Sequence, residues 1–159
     1  MLVENGANIH ANDDVAFCIS AQNGHLDTVK FLLDESADIH AHDDYALRYS
    51  AEMGFLEVVK ILLEKGANIH ADNEAALIWS AKKGYLNVIK LLLTKDGEHS
   101  NIHAMNDAAL RWSAENGHLD VVKLLLERGA NIHANNDEAL QLSVSKGHLD
   151  VAEFIFSFY

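Results

Sequence analysis

Proline is missing from this chain, cysteine occurs once, and 12 lysines and arginines face 24 aspartates and glutamates. Without proline, no turn or helix start can rest on its fixed φ. With Cys18 alone, no internal disulfide can form, which fits a reducing, cytoplasmic compartment. The net charge of −12 and pI near 5.1 repel a phosphate backbone. The densest basic spot is only Lys82 and Lys83, so nucleic acid is excluded as a partner. No apolar run approaches the ~20 residues of a membrane span. The opening Met1-Leu2-Val3-Glu4-Asn5-Gly6 has neither the basic nor the apolar region of a signal peptide. What remains is a chain of 159 residues, 49% apolar, enough for one domain with one continuous core.

The chain repeats itself. Asn-Ile-His or Asp-Ile-His recurs with Ile9, Ile39, Ile69, Ile102 and Ile132, at spacings of 30, 30, 33 and 30 residues. Gly24, Gly54, Gly84, Gly117 and Gly147, each followed by His, Phe or Tyr and then Leu, keep the same step. The units are 12–41, 42–71, 72–104, 105–134 and a shortened 135–159, after a partial unit 1–11.

Each unit reads as helix, turn, helix and a polar link. In 42–71, Asp43 and Asp44 are placed as N-cap and first-turn acid at the positive end of a helix. Ala46, Leu47, Ser50 and Ala51 share one helical face, and Gly54 ends the helix in a left-handed conformation. Leu56, Val59, Leu62 and Leu63 form the stripe of the second helix, and Glu57–Lys60, Asp27–Lys30 and Asp120–Lys123 make i,i+3 pairs. Gly66 caps that helix, and residues 67–71 are the link. One such pair cannot bury its apolar faces alone, so neighbours must stack into an elongated, curved solenoid.

These residues resemble the ankyrin repeat. The likeness rests on Gly66-Ala67-Asn68-Ile69-His70-Ala71, Ala76-Leu77, Ser80-Ala81 and Gly117-His118-Leu119-Asp120-Val121-Val122-Lys123-Leu124-Leu125-Leu126, and it covers the whole chain. It implies an all-α ankyrin-repeat solenoid of stacked antiparallel helix pairs, with protein binding and no catalysis or cofactor. The family unit usually has 33 residues and a Thr-Pro-Leu-His opening. Here the unit has 30, and the matching residues are Tyr45-Ala46-Leu47-Arg48 or Ala108-Ala109-Leu110-Arg111. The three absent residues fall between link and first helix, where the family has its β-hairpin finger, so reduced fingers are expected. The missing proline follows from the same change. The short repeat is similar to ankyrin repeats abundant in large DNA viruses of amoebae, which would place it in host cytoplasm.

Comparing units within the chain separates framework from surface. Ala16, Ala46, Ala76, Ala109 and Ala139, with Ser20, Ser50, Ser80, Ser113 and Ser143, are constant and read as stacking residues. The serine hydroxyls are expected on backbone carbonyls one turn back. A second phase of the first helix varies: 45, 49, 52 and 53 in the second unit, and its counterparts elsewhere. Ile19, Tyr49, Trp79, Trp112 and Leu142 fall on it, where either solvent or the crevice between helices could receive them. The family's first helices line its concave groove. The candidate partner-binding residues are therefore Tyr45, Tyr49, Met53, Trp79, Lys82, Lys83, Trp112 and Glu115. Variation beside an unvarying core, with Tyr and Trp at its centre, is the composition of a protein-binding surface.

His10, His40, His70, His103 and His133 form a column on the links. Zinc needs ligands about 2 Å away, whereas packed neighbours sit roughly 8–10 Å apart, so no metal site is expected. Each imidazole is instead expected to bond the next link's backbone. By resemblance, this column matches the position where an oxygen-dependent hydroxylase modifies ankyrin asparagines, which makes this chain a candidate substrate. His25, His118 and His148, replaced by Phe55 and Tyr85, read as packing residues at the inter-helix turn. No paired carboxylates, phosphate loop or nucleophile–base dyad stands at workable spacing, so no enzyme is expected. A role as ubiquitin-ligase adaptor would need a recruiting motif outside this chain. Met1 to Gly6 aligns with Ile61 to Gly66, and Phe154-Ile155-Phe156-Ser157-Phe158-Tyr159 is apolar. Neither end is a polar cap, so a monomer with some end-to-end association is expected. The three extra residues of the third unit, within 94–100, are expected to form a protruding loop.

Overall fold

The computed structural model describes residues 8–94 and 100–159. Its helices are α1 Ala11–Gln22, α2 Leu26–Asp34, α3 Ala41–Glu52, α4 Leu56–Glu64, α5 Ala71–Lys83, α6 Leu86–Thr94, α7 Ala104–Glu115, α8 Leu119–Glu127, α9 Ala134–Lys146 and α10 Leu149–Phe156. Among the described residues there is no strand. The first helices α1, α3, α5, α7 and α9 form one row, and the second helices α2 to α10 form another. The first helices approach one another much more closely than the second helices do. A stack with one tight row and one splayed row curves toward the tight row, so the first helices line the concave side.

The core runs unbroken along the stack. Leu47, Leu62, Leu77, Ile89, Leu92, Leu110 and Leu125 are essentially inaccessible. Ser50, Ser80, Ser113 and Ser143 are also fully buried, and their hydroxyls donate to Leu47 O, Leu77 O, Leu110 O and Leu140 O at 2.8–3.1 Å. A small side chain that bonds its own helix lets neighbouring first helices pack closely without an orphaned polar atom. The i,i+3 pairs of the second helices do not close, since no ion pair joins Glu57 to Lys60 among the described residues. Lys123 turns instead over the Phe154 ring, 5.4 Å from its centroid.

The shortened finger has a specific replacement. Each first helix opens with three residues at φ between 50° and 68°, for example His42, Asp43 and Asp44. The right-handed helix starts only at Val15, Tyr45, Ala75, Ala108 and Glu138. Left-handed backbone ordinarily occurs as single Gly, Asn or Asp residues, and the turns are rich in Asn and Asp. This corrects the capping role of Asp43 and Asp44: both belong to the turn, and Asp44 aims away from the helix N–H groups. Its buried carboxylate accepts from His40 Nδ1 at 3.1 Å and from the Asn68 backbone N–H of the next link at 2.7 Å. Asp107 does the same with His103 at 3.0 Å and Asn131 N–H at 2.8 Å. The histidine column is corrected with it. Each imidazole bonds the acid four residues on, across the boundary between units, and it is Asp44 and Asp107, not a histidine, that reach the next link. The Asn or Asp two residues before each histidine accepts that histidine's backbone N–H at 2.9–3.0 Å, which folds the link into a tight turn.

The glycine column has two causes. Gly54 sits at φ +78°, and a Cβ there would lie 2.7 Å from the Tyr85 ring of the following unit. Phe55, Tyr85, His118 and His148 all seat their rings on the preceding unit's glycine. This is the packing role expected of that column. The loop of the three extra residues, 95–99, lies outside the described residues, as does the partial opening unit up to residue 7. After the loop, Ser100 N–H donates to Leu92 O at 3.1 Å, the bond that Ala67 makes to Leu62 O at 3.0 Å, so the register is recovered at once. At the other end Phe156 and Phe158 are exposed, while the Tyr159 hydroxyl donates to Asp137 and its ring meets the edge of His133.

Candidate functional site: the first-helix face

The residues singled out on the first helices lie on one concave face, though not uniformly in solvent. Val15, Tyr45, Ala75, Ala108 and Glu138 begin the helices and point into the intervals between them. Ala75 and Ala108, the counterparts of Tyr45 on the variable phase, are buried. A turn further on, Tyr49, Trp79 and Trp112 are partly buried, the two tryptophans with one side on the core. Ile19 is half-exposed, and Met53, Lys82 and Lys83 are exposed.

Tyr45 stacks on Tyr49 at 4.0 Å, and Tyr49 meets Trp79 at 5.4 Å edge-on. The Tyr45 hydroxyl donates to Gln22 Oε1 at 2.9 Å, and burial raises its pKa above the ordinary tyrosine value. Lys82 Nζ lies 5.4 Å from the Trp112 ring centroid. Glu115 accepts Lys146 at 3.5 Å, bridging the last two units. The face thus carries rings at its centre and charges at its helix C-terminal rim, where the lysines complement the helix dipole.

Two residues absent from the sequence-based set shape this face. Arg48 donates through Nε and Nη2 to Asp43 O at 2.7 Å and His42 O at 2.9 Å, holding its own left-handed turn. Its Nη1 reaches Asp72 of the next unit at 2.8 Å. Arg111 repeats this, with Asn106 O at 2.9 Å, Met105 O at 2.8 Å and Glu138 of the next unit. The signal was visible as arginine at the same position of two units, but its meaning required knowing that the turn before it is left-handed. The Arg48 guanidinium also lies 5.8 Å and 5.9 Å from the Tyr49 and Trp79 ring centroids, flanking that edge-on pair.

Among the described residues, no group of three or more His, Cys, Asp or Glu is placed to hold a metal ion. No described helix is long and apolar enough to cross a membrane. Cys18 is buried, and desolvation with nearby Asp14 pushes its thiol up to about 11, far from the range of a reactive thiolate.

The family model for ankyrin repeats (3 copies) matches residues 1–73, 17–106 and 77–158. The chain belongs to the ankyrin-repeat family. None of the curated proteins compared with the chain matches it.

Proposed function

We propose that this chain is a non-catalytic protein-interaction module that holds a partner protein along its concave first-helix face. Ankyrin repeats are in general protein–protein interaction modules. The observation that supports this surface is the run of Tyr45, Tyr49, Trp79 and Trp112 along it, part-buried and flanked by exposed Met53, Lys82, Lys83 and by Glu115. Rings held rigidly by the core lose little conformational freedom on binding, and aromatic side chains dominate interface energetics. The mixed charges at the rim set orientation more than affinity. The fingers that many ankyrin modules use are reduced here to three-residue turns, which leaves the helix face as the larger continuous surface. The inert Cys18 suits a scaffold working in a reducing, cytoplasmic setting.

The test is affinity capture with quantitative mass spectrometry, using two charge variants that spare the core. Met53→Glu/Lys82→Glu/Lys83→Glu alters the first-helix face, and Lys30→Glu/Lys60→Glu alters the second-helix face. Partners lost with the first and kept with the second support the proposal. Partners kept with the first and lost with the second overturn it.

A further inference from the structure

Three intervals between first helices are bridged near their turns by the chain's own side chains, while the fourth, α5/α7, is crossed only at its far rim by Lys82 over Trp112 among the described residues. Between α1 and α3, the Tyr45 phenol crosses to Gln22 at 2.9 Å. Between α3 and α5, the Arg48 guanidinium sits among Tyr49, Trp79 and Asp72. Between α7 and α9, Arg111 crosses to Glu138. Between α5 and α7, the residue matching Arg48 is Ile78, and the one matching Asp72 is Met105. The residue matching Tyr45 is Ala108, which ends at Cβ. An open groove of about 200 Å³ remains there, lined by Trp79, Trp112 and Ile78, with Met105, Asp72 and Asn73 of the two turns at its edge.

Two further features mark this interval. Met105 is the one apolar residue in the left-handed turns, at φ 50° and 56% exposed, where Asn or Asp is otherwise the rule. Strained backbone carrying an unsuitable residue marks a functional position more often than a framework one. Secondly, Arg48 and Arg111 hold the carbonyls of their own turns, but Ile78 cannot. Among the described residues no side chain takes the carbonyls of Asp72 and Asn73 as Arg48 takes those of His42 and Asp43.

We propose that the α5/α7 groove is a guanidinium slot, completed by an arginine side chain of the bound partner. This rests on the first-helix face being the partner surface, and it names the chemistry of the central contact. The template is the neighbouring interval, where a guanidinium lies beside two rings of the same column, 5.8 Å and 5.9 Å from their centroids, and donates to turn carbonyls. In the α5/α7 slot the rings are two indoles, the strongest aromatic partners for a cation. Both already take cations, Arg48 beside Trp79 and Lys82 beside Trp112. Asp72 and the turn carbonyls offer the planar guanidinium directional acceptors that suit arginine better than lysine. A net charge of −12 favours the approach of a basic segment to the chain as a whole, and Asp72 is the acid at the slot itself.

The chain has two tryptophans, both in the slot walls, so their indole N–H signals report the site directly. The whole chain, ¹⁵N-labelled, is titrated with N-acetylarginine methylamide, and in parallel with the lysine and leucine analogues. Saturable shifts of both indole signals are expected, with arginine binding about tenfold tighter than lysine or leucine. Ile78→Arg/Met105→Asp grafts the Arg48–Asp72 pair into the slot. It should melt no lower than the parent and lose at least tenfold in arginine affinity. Leucine binding as tightly as arginine makes the groove an apolar pocket and overturns the proposal, as does the absence of any shift with arginine. Should the graft fail to fold, the comparison of the three probes on the parent chain still decides. If these titrations fail while captured partners remain sensitive to the first-helix variant, only the slot is wrong. If capture ignores that variant, the surface itself is wrong.

Discussion

Replacing Gly54 by alanine tests the reasoning behind the glycine column quantitatively. The residue sits at φ +78°, and its Cβ would meet Tyr85 Cδ1 at 2.7 Å. An L-residue in left-handed backbone costs roughly 1–2 kcal/mol. Forcing the ring aside adds about 1–3 kcal/mol of overpacking. Gly54→Ala should therefore lose about 2–5 kcal/mol, read as a lower urea midpoint at unchanged m-value. Gly147 has nearly the same φ, +79°, but nothing within 4 Å of its Cβ, so Gly147→Ala should lose only the backbone share. A double-mutant cycle isolates the contact: with Tyr85→Ala in place, Gly54→Ala should cost about 1–3 kcal/mol less than in the parent. If the cost of Gly54→Ala is the same with and without the Tyr85 ring, the ring-on-glycine account is wrong.

Other consequences follow from the links and the buried thiol. Asp107→Ala strands the Asn131 N–H and the His103 ring together, and should destabilise the chain by about 2–3 kcal/mol in urea melts. A loss below that of a surface substitution would remove the acid from its role between units. Bonds from Tyr159 and His133 hold the Asp137 carboxyl below its ordinary pKa, and the Asp137 bond pushes Tyr159 up to about 12. A depressed carboxyl pKa stabilises above the unfolded value and is lost as pH falls through the folded one. A raised tyrosine pKa stabilises below about 10 and is lost as pH rises through about 12. The C-terminal turn should therefore stay docked between those limits, and Tyr159→Phe should abolish both edges in an NMR pH titration. A Tyr159 phenol titrating at the ordinary value contradicts this. Cys18 should react with a thiol reagent only on unfolding, so its rate should follow urea concentration; brisk reaction in the native chain contradicts its burial.

The repeats, the two helices of each unit and their buried faces were legible because each is written five times with the same small and apolar residues. The Ala46 and Ser50 columns do not vary, and those of Leu47 and Ala51 depart only at Phe17 and Val144, in the first and last units. The left-handed turns were not legible. His42-Asp43-Asp44 and Asp72-Asn73-Glu74 look like acid placed for a helix dipole, and three successive left-handed residues run against the ordinary preference of L-amino acids. What compensates at His42-Asp43-Asp44 lies outside the turn: Arg48 on its carbonyls and Asp44 on the next link. The partner of the histidines was not legible, because His40 and Asp44 are one turn apart only along a backbone that winds the other way. Tyr49, Trp79 and Trp112 stand out in the sequence as a column, and the structure places them on the concave face. The open space between the two indoles was not legible, because it consists of what Ile78 and Ala108 fail to fill.

The account stands or falls on which face is covered when a partner binds. Hydroxyl-radical footprinting of the chain, free and in complex with a captured partner, measures this side chain by side chain. Protection should concentrate on Tyr49, Met53, Trp79, Met105 and Trp112, with Leu149, Phe156 and Phe158 unchanged. Protection of those C-terminal residues or of the second helices, with Met53, Met105 and the two indoles as reactive as in the free chain, would contradict it.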